Sequence, residues 1–375
     1  MPEPHIKWSV EERIRAENLL SEGYSYEATA KILNKEFQNN RTKGGIRSQI
    51  RGGKVNPIKK AENPIISISN VNSRVGESDE FEKQGMDEIL PVDDLIEERV
   101  KKFGRTKLSY EYRKLINIKI KIDGPIGIAH FGDPHVDDDG TDLAKLYHDA
   151  STVNKTAGMF AGNVGDMQNN WVGRLTHLWS AQSTSAKEAW VLTEHFINSV
   201  PWLYLIAGNH DCWSGNGDPL DWIMRGHEGV YDQHGARINL IFPNGKQVRI
   251  NSRHDFKGHS MWNTAHGVSK AIQMGWKDHV LTCGHTHVSG YQVLKDPMSG
   301  LISHAIRCGS YKTYDRYADE KGLDDKNVFN CPVTIIDPYY EDDDNRLITT
   351  IFNPQEGAEY LKWKRHQYEN SKRAT

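Results

Sequence analysis

The stretch Ile126-Gly127-Ile128-Ala129-His130-Phe131-Gly132-Asp133-Pro134-His135 carries the reading of this chain. A short apolar, β-like run stops at a glycine and then presents a carboxylate and an imidazole two positions apart. Similar endings recur downstream. Ala157-Gly158-Met159-Phe160-Ala161-Gly162-Asn163-Val164 runs into Gly165-Asp166, and Trp202-Leu203-Tyr204-Leu205-Ile206-Ala207 runs into Gly208-Asn209-His210-Asp211. Val248-Arg249-Ile250 leads toward Arg253-His254-Asp255, and Val280-Leu281-Thr282-Cys283 leads into Gly284-His285-Thr286-His287. In open α/β sheets ligands bind beyond the carboxyl ends of the strands, so these five endings can meet in space. Glycine at several of the turns lets the backbone bend sharply and leaves room beside it.

Fifteen of the seventeen histidines fall between His130 and His304, more than solubility requires. The strand-end donors are Asp, His and Asn without cysteine, a set suited to Mn²⁺, Fe or Zn²⁺ rather than to a structural zinc site. On an extended segment residues i and i+2 point the same way, so Asp133 with His135, and His285 with His287, can each address one metal. Plainer readings apply to their neighbours. His130 and His304 are expected to be satisfied core or surface histidines. The acidic run Asp137-Asp138-Asp139 is expected to be a solvated loop, because a calcium loop needs an ordered acid series and a distal glutamate. For the fourth motif His254 is preferred to His259, being nearer its strand. Tyr311, Lys312, Tyr314, Arg316 and Tyr317 interleave basic and aromatic groups, which makes either a grip on a nucleic-acid strand or a plain exposed loop.

In order, Asp-x-His, Gly-Asp, Gly-Asn-His-Asp, His and Gly-His-x-His resemble the calcineurin-like metallophosphoesterase superfamily, over roughly residues 120–340. The resemblance implies an α/β fold, a four-layer α-β-β-α sandwich of two mixed sheets flanked by helices. It implies two divalent metal ions, Mn²⁺ foremost, with Fe or Zn²⁺ as alternatives. Asp133, His135 and His287 would hold the first metal, Asn209, His254 and His285 the second, with Asp166 bridging them and His210 as the catalytic histidine. Asn169 stands where many relatives carry a second acid that orients this histidine, so a neutral amide is expected to take that hydrogen bond. Protein Ser/Thr phosphatases of the superfamily carry Asp-Arg-Gly after the second motif and Gly-Asn-His-Glu at the third. Asp166-Met167-Gln168 and the final Asp211 depart from both. Gly-Asn-His-Asp is shared by phosphodiesterases, including nucleases resembling SbcD-type repair exonucleases, and by many small-molecule hydrolases.

The 375 residues are 37% hydrophobic and 26% charged, enough for two domains with a sizeable core. The longest apolar stretch, Val200 to Ala207, is too short to span a bilayer, so no membrane partner is expected. Met1-Pro2-Glu3-Pro4-His5 has no apolar segment behind a basic one, so no signal peptide is expected. Cys212, Cys283, Cys308 and Cys331 are far apart and read as reduced thiols. The net charge of −3 conceals an asymmetry: residues 1–60 carry twelve basic and seven acidic side chains, and residues 61–99 carry eleven acids against three basic groups. The chain therefore divides into a basic domain at 1–56, an acidic flexible linker at 57–92, a large domain at 93–355 and a basic tail at 356–375. Just past the linker, Leu95, Ile96, Val100 and Phe103 fall at helical spacing and line one face.

Three helical segments fit the basic domain. Ser9 with Glu12 has capping-box spacing, Ser25 opens a second helix, and Arg41 to Arg51 forms a third with Ile46 and Ile50 inward. A helix pair followed by a basic third helix resembles helix-turn-helix modules of the Myb/SANT type, with Arg41, Lys43, Arg47 and Arg51 as the DNA-binding set. The alternative is a solvated basic face on a protein-interaction domain. Fused to the strand-end motifs, this module predicts hydrolysis of phosphodiester bonds in DNA, as a nuclease or repair-type exonuclease. Competing readings are a phosphomonoesterase or protein phosphatase, a small-molecule phosphodiesterase, or a DNA-binding regulator with a structural metal site. A fainter resemblance to phosphoesterases of tailed bacteriophages places the protein in a cytoplasm, that of the bacterial host if phage-encoded.

Overall fold

The computed structural model describes residues 8–51, 91–212, 217–322 and 325–374. The chain divides into two compact units, residues 1–88 and 89–375. Most of the expected acidic linker, residues 57–90, lies outside the described residues.

The first unit is three helices, α1 (Val10–Ser21), α2 (Tyr26–Phe37) and α3 (Lys43–Arg51), around buried Ala16, Leu19, Ala30, Leu33 and Ile46. Ser9 and Glu12 form the capping box at the start of α1, and Ser25 caps α2. Glu12 also does what the sequence pattern did not announce. It is buried, and Arg41 reaches it with Nε to Oε1 at 2.6 Å and Nη2 to Oε2 at 2.8 Å, while the guanidinium lies 4.5 Å from the centre of the Trp8 ring. Arg41 is therefore turned into its own domain rather than presented to a ligand, which removes it from the expected DNA-binding set. Lys43 and Arg47 remain on the exposed face of α3, and the Arg51 side chain lies outside the described residues.

In the second unit α4 (Val92–Arg113) precedes β1 (Ile116–Lys119), β2 (Ile126–Phe131), α5 (Leu143–Lys155) and β3 (Met159–Asn163). After a 3₁₀ stretch at Gly173–Ala181 come α6 (Ala186–Asn198), β4 (Trp202–Ile206), α7 (Asn209–Cys212), α8 (Pro219–Met224) and β5 (Val230–Asp232). Then follow β6 (Gly235–Ile241), β7 (Gln247–Arg253), α9 (His266–Gln273), β8 (Val280–Cys283), β9 (Gly290–Lys295) and β10 (Ile302–Arg307). The chain closes with α10 (Arg316–Lys321), β11 (Val333–Ile336), β12 (Ile348–Ile351) and α11 (Pro354–Ala374).

Among the described residues these strands form two six-stranded sheets, β12-β11-β2-β3-β4-β5 and β1-β6-β7-β8-β10-β9. The period-2 alternation of β2 shows why they stack. Ile126 and Ile128 enter the core between the sheets with Ile238, Leu240, Ile250 and Val280, whereas Ala129 and Phe131 face the helices. On that outer side Leu146 and Ala150 of α5, Phe196 and Ile197 of α6, and Leu361 of α11 cover the first sheet. Val268 and Ile272 of α9 cover the second against Leu281 and Ala305. The result is the four-layer α-β-β-α sandwich.

One boundary moves. Residues 356–374 of the expected basic tail belong to α11, whose Ala358 and Leu361 are buried in the core. The stripe Ile96, Val100 and Phe103 does lie on a helix, but on solvent-exposed positions. All four cysteines are free, with Cys283, Cys308 and Cys331 buried.

The Arg41 hydrogen bond holds the Glu12 carboxyl below its ordinary value. A lowered folded-state value means the stabilisation is complete above the normal glutamate range and is lost as pH falls through the lowered one. Glu12→Gln is expected to destabilise the first unit by about 1–3 kcal/mol at neutral pH and to flatten its acid sensitivity. Amide hydrogen exchange across α1–α3 of the full chain, at neutral and acidic pH, measures both effects.

Candidate metal centre

The β2, β3 and β4 strands run parallel to one another in the first sheet, and β7 and β8 run parallel in the second. Asp133, Asp166, Asn209, His210, His254 and His285 all lie just past the carboxyl ends of these strands. They converge, with His287, into one cluster.

His254 stands at its centre. Nδ1 donates to the carbonyl of Val164 at 2.9 Å, which leaves Nε2 as the inward-facing atom. Around Nε2 lie Asn209 Oδ1 at 2.9 Å, His285 Nδ1 at 3.0 Å and Asp166 Oδ2 at 3.2 Å. A second group sits on the other side of Asp166. His135 Nε2 is 3.9 Å from Asp166 Oδ2 and 3.1 Å from His287 Nε2, which is 3.7 Å from Asp133 Oδ2. Asp166 is thus common to both groups, and it belongs to two metal-compatible donor sets, one with His135 and His210 and one with His254 and His285. His210 Nε2 also lies 3.9 Å from Asp166 Oδ2, and its Nδ1 contacts the main-chain carbonyl of Asn169. His259 is exposed and takes no part, whereas His130 and His304 are satisfied inside the fold by Tyr204, Thr334 and Tyr291.

These residues fit a pair of divalent cations on their own chemistry. Side-chain nitrogen and oxygen atoms from His254, Asn209, Asp166 and His285 converge, and buried Asp133 Oδ1 has no protein hydrogen-bond partner. Such a gathering of acceptors is unfavourable unless positive charge lies among them. Burial pushes the Asp133 carboxyl up to about 7, while Asp166, also opposed by burial, is drawn well below the usual range by His254 and His210. Burial acts to lower His254, but Asp166 and Asp133 carry it up to about 10. The cluster by itself satisfies its carboxylates with a protonated imidazole, and bound cations would take over that charge.

The backbone explains why the donors face one another. His135, Asp166, His285 and His287 all have left-handed φ, of 42°, 50°, 72° and 53°. The i, i+2 pairs therefore converge through tight turns and not, as the spacing suggested, on extended segments. Such strain is held only where the surroundings over-determine it. At Gly208 a Cβ would sit 1.9 Å from Asp166 Oδ1, and at Gly284 one would sit 2.4 Å from Asp133 Oδ1, so no larger residue fits beneath either carboxylate. Buried Arg307 clamps the last motif, its Nη1 donating to the Gly284 carbonyl and the Thr286 hydroxyl at 2.9 Å and its Nη2 to Asp255 at 3.0 Å.

A cavity of about 940 Å³ opens on the cluster. Besides His135, His210, His285 and His287 it is lined by Trp171, Lys312 and the segment carrying α10. Here three expectations are corrected. Asp137 and Asp138 are buried rather than solvated: Asp137 accepts from the main-chain nitrogen of Asn169 at 2.7 Å, and Asp138 binds Lys312 Nζ at 2.9 Å. The Asn169 side chain donates to Asp138 at 2.7 Å, so His210 is oriented by the Asn169 main chain and not by its amide. Tyr311 and Lys312 are buried, leaving Tyr314 and Tyr317 as the exposed aromatics of that run.

Asp315 escaped the sequence reading because no motif contains it. It caps α10 through the Tyr317 amide at 3.0 Å, binds Lys312 Nζ at 3.0 Å and lies 3.5 Å from His287 Nδ1. A carboxylate facing Nδ1 fixes the tautomer that leaves Nε2 free to ligate.

No family model and no curated protein matches this chain. Among solved structures it is similar to vacuolar protein sorting 29 from Cryptosporidium parvum, at 12% identity and TM-score 0.34, covering 61% of this chain and 97% of that one. It is also similar to the calcineurin-like phosphoesterase YfkN from Bacillus subtilis, at 11% identity and TM-score 0.35, covering 65% and 97%. A third is the NAD nucleotidase of Haemophilus influenzae, at 10% identity and TM-score 0.31, covering 61% and 49%. These likenesses are loose, and the assignment of the site rests on the residues at the strand ends.

Asp315→Asn is expected to weaken Mn²⁺ binding about 10–100-fold, measured by titration calorimetry on metal-stripped full-length protein. Unchanged affinity would show that Asp315 serves α10 and Lys312 and not the His287 ligand.

Proposed function

We propose that this chain is a dinuclear metal-dependent phosphoesterase that hydrolyses phosphodiester bonds, with DNA as its substrate. The observation that carries the reading is the sharing of buried Asp166 between two donor sets. Asp133, His135 and His287 would hold one cation, Asn209, His254 and His285 the other, and Asp166 both, with Mn²⁺ foremost and Fe or Zn²⁺ as alternatives. When bound, two such cations neutralise phosphoryl oxygens and acidify a water for in-line attack. His210 faces the cavity with Nε2 while the Asn169 carbonyl holds its Nδ1–H, so the proton exchanged with a leaving oxygen is the one at Nε2. Lys312, neutralised by Asp138 and Asp315, shapes the wall beside it. The cavity volume suits a substrate larger than a phosphate group.

DNA is favoured by the three-helix basic unit. Exposed Lys43 and Arg47 on α3 offer phosphate contacts, and tethering raises the concentration of the active site near the polymer. Among the described residues no helix is long and apolar enough to cross a membrane. A cytoplasmic setting, that of a bacterial host if the chain is phage-encoded, belongs to the same proposal.

Purified protein with Mn²⁺ is expected to cleave labelled single- or double-stranded DNA and bis-p-nitrophenyl phosphate. Turnover of the dye with intact DNA would assign a small phosphodiester instead, a phosphopeptide preference would assign a phosphatase, and silence on all of them would leave a DNA-binding regulator. His210→Ala should lower kcat about 100–10,000-fold with metal content unchanged. Because its Nε2 lies close enough to His135 and Asp166 to ligate, loss of metal in that variant would make His210 a ligand instead. Lys43→Ala and Arg47→Ala should each reduce the slope of log affinity against log salt by about one, in filter binding at several ionic strengths.

A further inference from the structure

Just past the ligand His254 the chain forms a loop, Phe256 to Ala265, that leads into α9. Both ends of this loop are fastened to the frame of the metal centre. At its start Asp255 accepts from Arg307 Nη2 at 3.0 Å, and the same guanidinium clamps the turn carrying His285. At its end the Thr264 hydroxyl donates to the Ser289 carbonyl at 2.6 Å, two residues past His287. The loop therefore borders the metal centre.

It also holds an indole out in water. Trp262 is 92% exposed, and Met261 beside it is 85% exposed. Large apolar side chains gathered at one exposed point mark a contact surface. The turn that carries them is ordered. Ser260 Oγ accepts from the main-chain nitrogens of Trp262 at 3.2 Å and Asn263 at 3.3 Å, and Asn263 Oδ1 accepts from that of Ala265 at 2.9 Å. A Cβ at Gly258 would meet His266 Cδ2 at 3.3 Å and Lys270 Cδ at 3.5 Å, so these two side chains of α9 lie against the loop.

Charge selects what can cover the indole. From Phe256 to Lys277 the chain carries no acid, while Lys257, His259 and Lys270 are exposed. The acids that flank this stretch are already neutralised, Asp255 by Arg307 and Asp278 by Arg237 and Arg249. Among the described residues Lys257 and Lys270 form no ion pair. An exposed ring among uncompensated cations, beside a site for phosphate esters, suits a polyanion whose bases are free to stack. In a duplex each base face is covered by its neighbour, so only an unpaired base offers one to the ring. We infer that this loop is a single-strand subsite, with Trp262 stacking on an unpaired base of the substrate and Lys257 and Lys270 meeting its phosphates. The inference rests on the reading of the chain as a DNA phosphodiesterase and narrows its substrate to single strands or unpaired ends.

Fluorescence anisotropy on metal-stripped full-length protein, which leaves the strand uncut, compares a labelled oligothymidylate with a duplex of the same length. Trp262→Ala is expected to weaken binding of the single strand about 5–100-fold and to leave the duplex bound as before. Trp262→Phe should keep most of the single-strand affinity, because a ring remains. Lys257→Ala should reduce the slope of log affinity against log salt for the single strand by about 0.7. The thermal unfolding midpoint checks that each variant folds. Equal loss of both nucleic acids on Trp262→Ala, or loss of neither, overturns the inference. So does a Trp262→Ala chain that binds the oligonucleotide normally but is released from phosphatidylglycerol vesicles, which would assign the loop to an anionic membrane surface. Mn²⁺-dependent turnover of bis-p-nitrophenyl phosphate by the wild-type chain tests the phosphoesterase reading separately, so the two can fail independently.

Discussion

Two carboxylates, Asp133 and Asp166, are buried in one cluster, and a protein interior does not tolerate two such charges without positive charge beside them. That constraint organises the site. Within the chain the compensating charge falls on His254, which sits 3.2 Å from Asp166 and 3.8 Å from Asp133. An imidazolium provides a single positive charge to the group. A pair of dications provides more, at its centre, and releases the imidazoles to act as neutral ligands. The sandwich serves this arrangement, because two sheets whose parallel strands end at the same place can present donors from both sides of one cleft.

The fold was legible because its signals were local. Apolar runs broken by glycine marked β2, β3, β4 and β8, and their C-terminal residues marked the donors. The reason for convergence was not legible. Spacing of Asp133 with His135 and of His285 with His287 suggested extended segments, yet left-handed turns do the work, and φ at non-glycine residues leaves no trace in composition. Asp315 and Arg307 were missed for a related reason. Each acts on a ligand far from it in sequence or through the main chain, as Arg307 does on Gly284, so only the folded chain shows the contact.

Charge counting was most misleading where charges pair internally. Arg41 counts among the basic groups of the first unit, but buried Glu12 neutralises it, so the outward basic face is smaller than the composition implied. The run Asp137-Asp138-Asp139 looked like solvated surface because three consecutive acids rarely go inside. Two of them do so here because partners of the right kind wait there: the main-chain nitrogen of Asn169 for Asp137, and Lys312 with the Asn169 side chain for Asp138.

Lys312 connects these observations. It is held between Asp138, on the loop after the first motif, and Asp315, at the start of the α10 wall, and its ammonium lies 5.0 Å from the centre of the Trp171 ring. Trp171 in turn packs edge-on at 5.1 Å against His210. One buried ion-pair network therefore touches the orientation of His287, the position of the cavity wall and the ring beside His210. In a low-dielectric interior such pairs are rigid, because breaking any one strands a charge. A substrate that displaced the α10 wall would thus be felt at His287 and at His210 together. The cavity wall and the side chains of the candidate metal centre are then parts of one network, not a scaffold with a pocket attached.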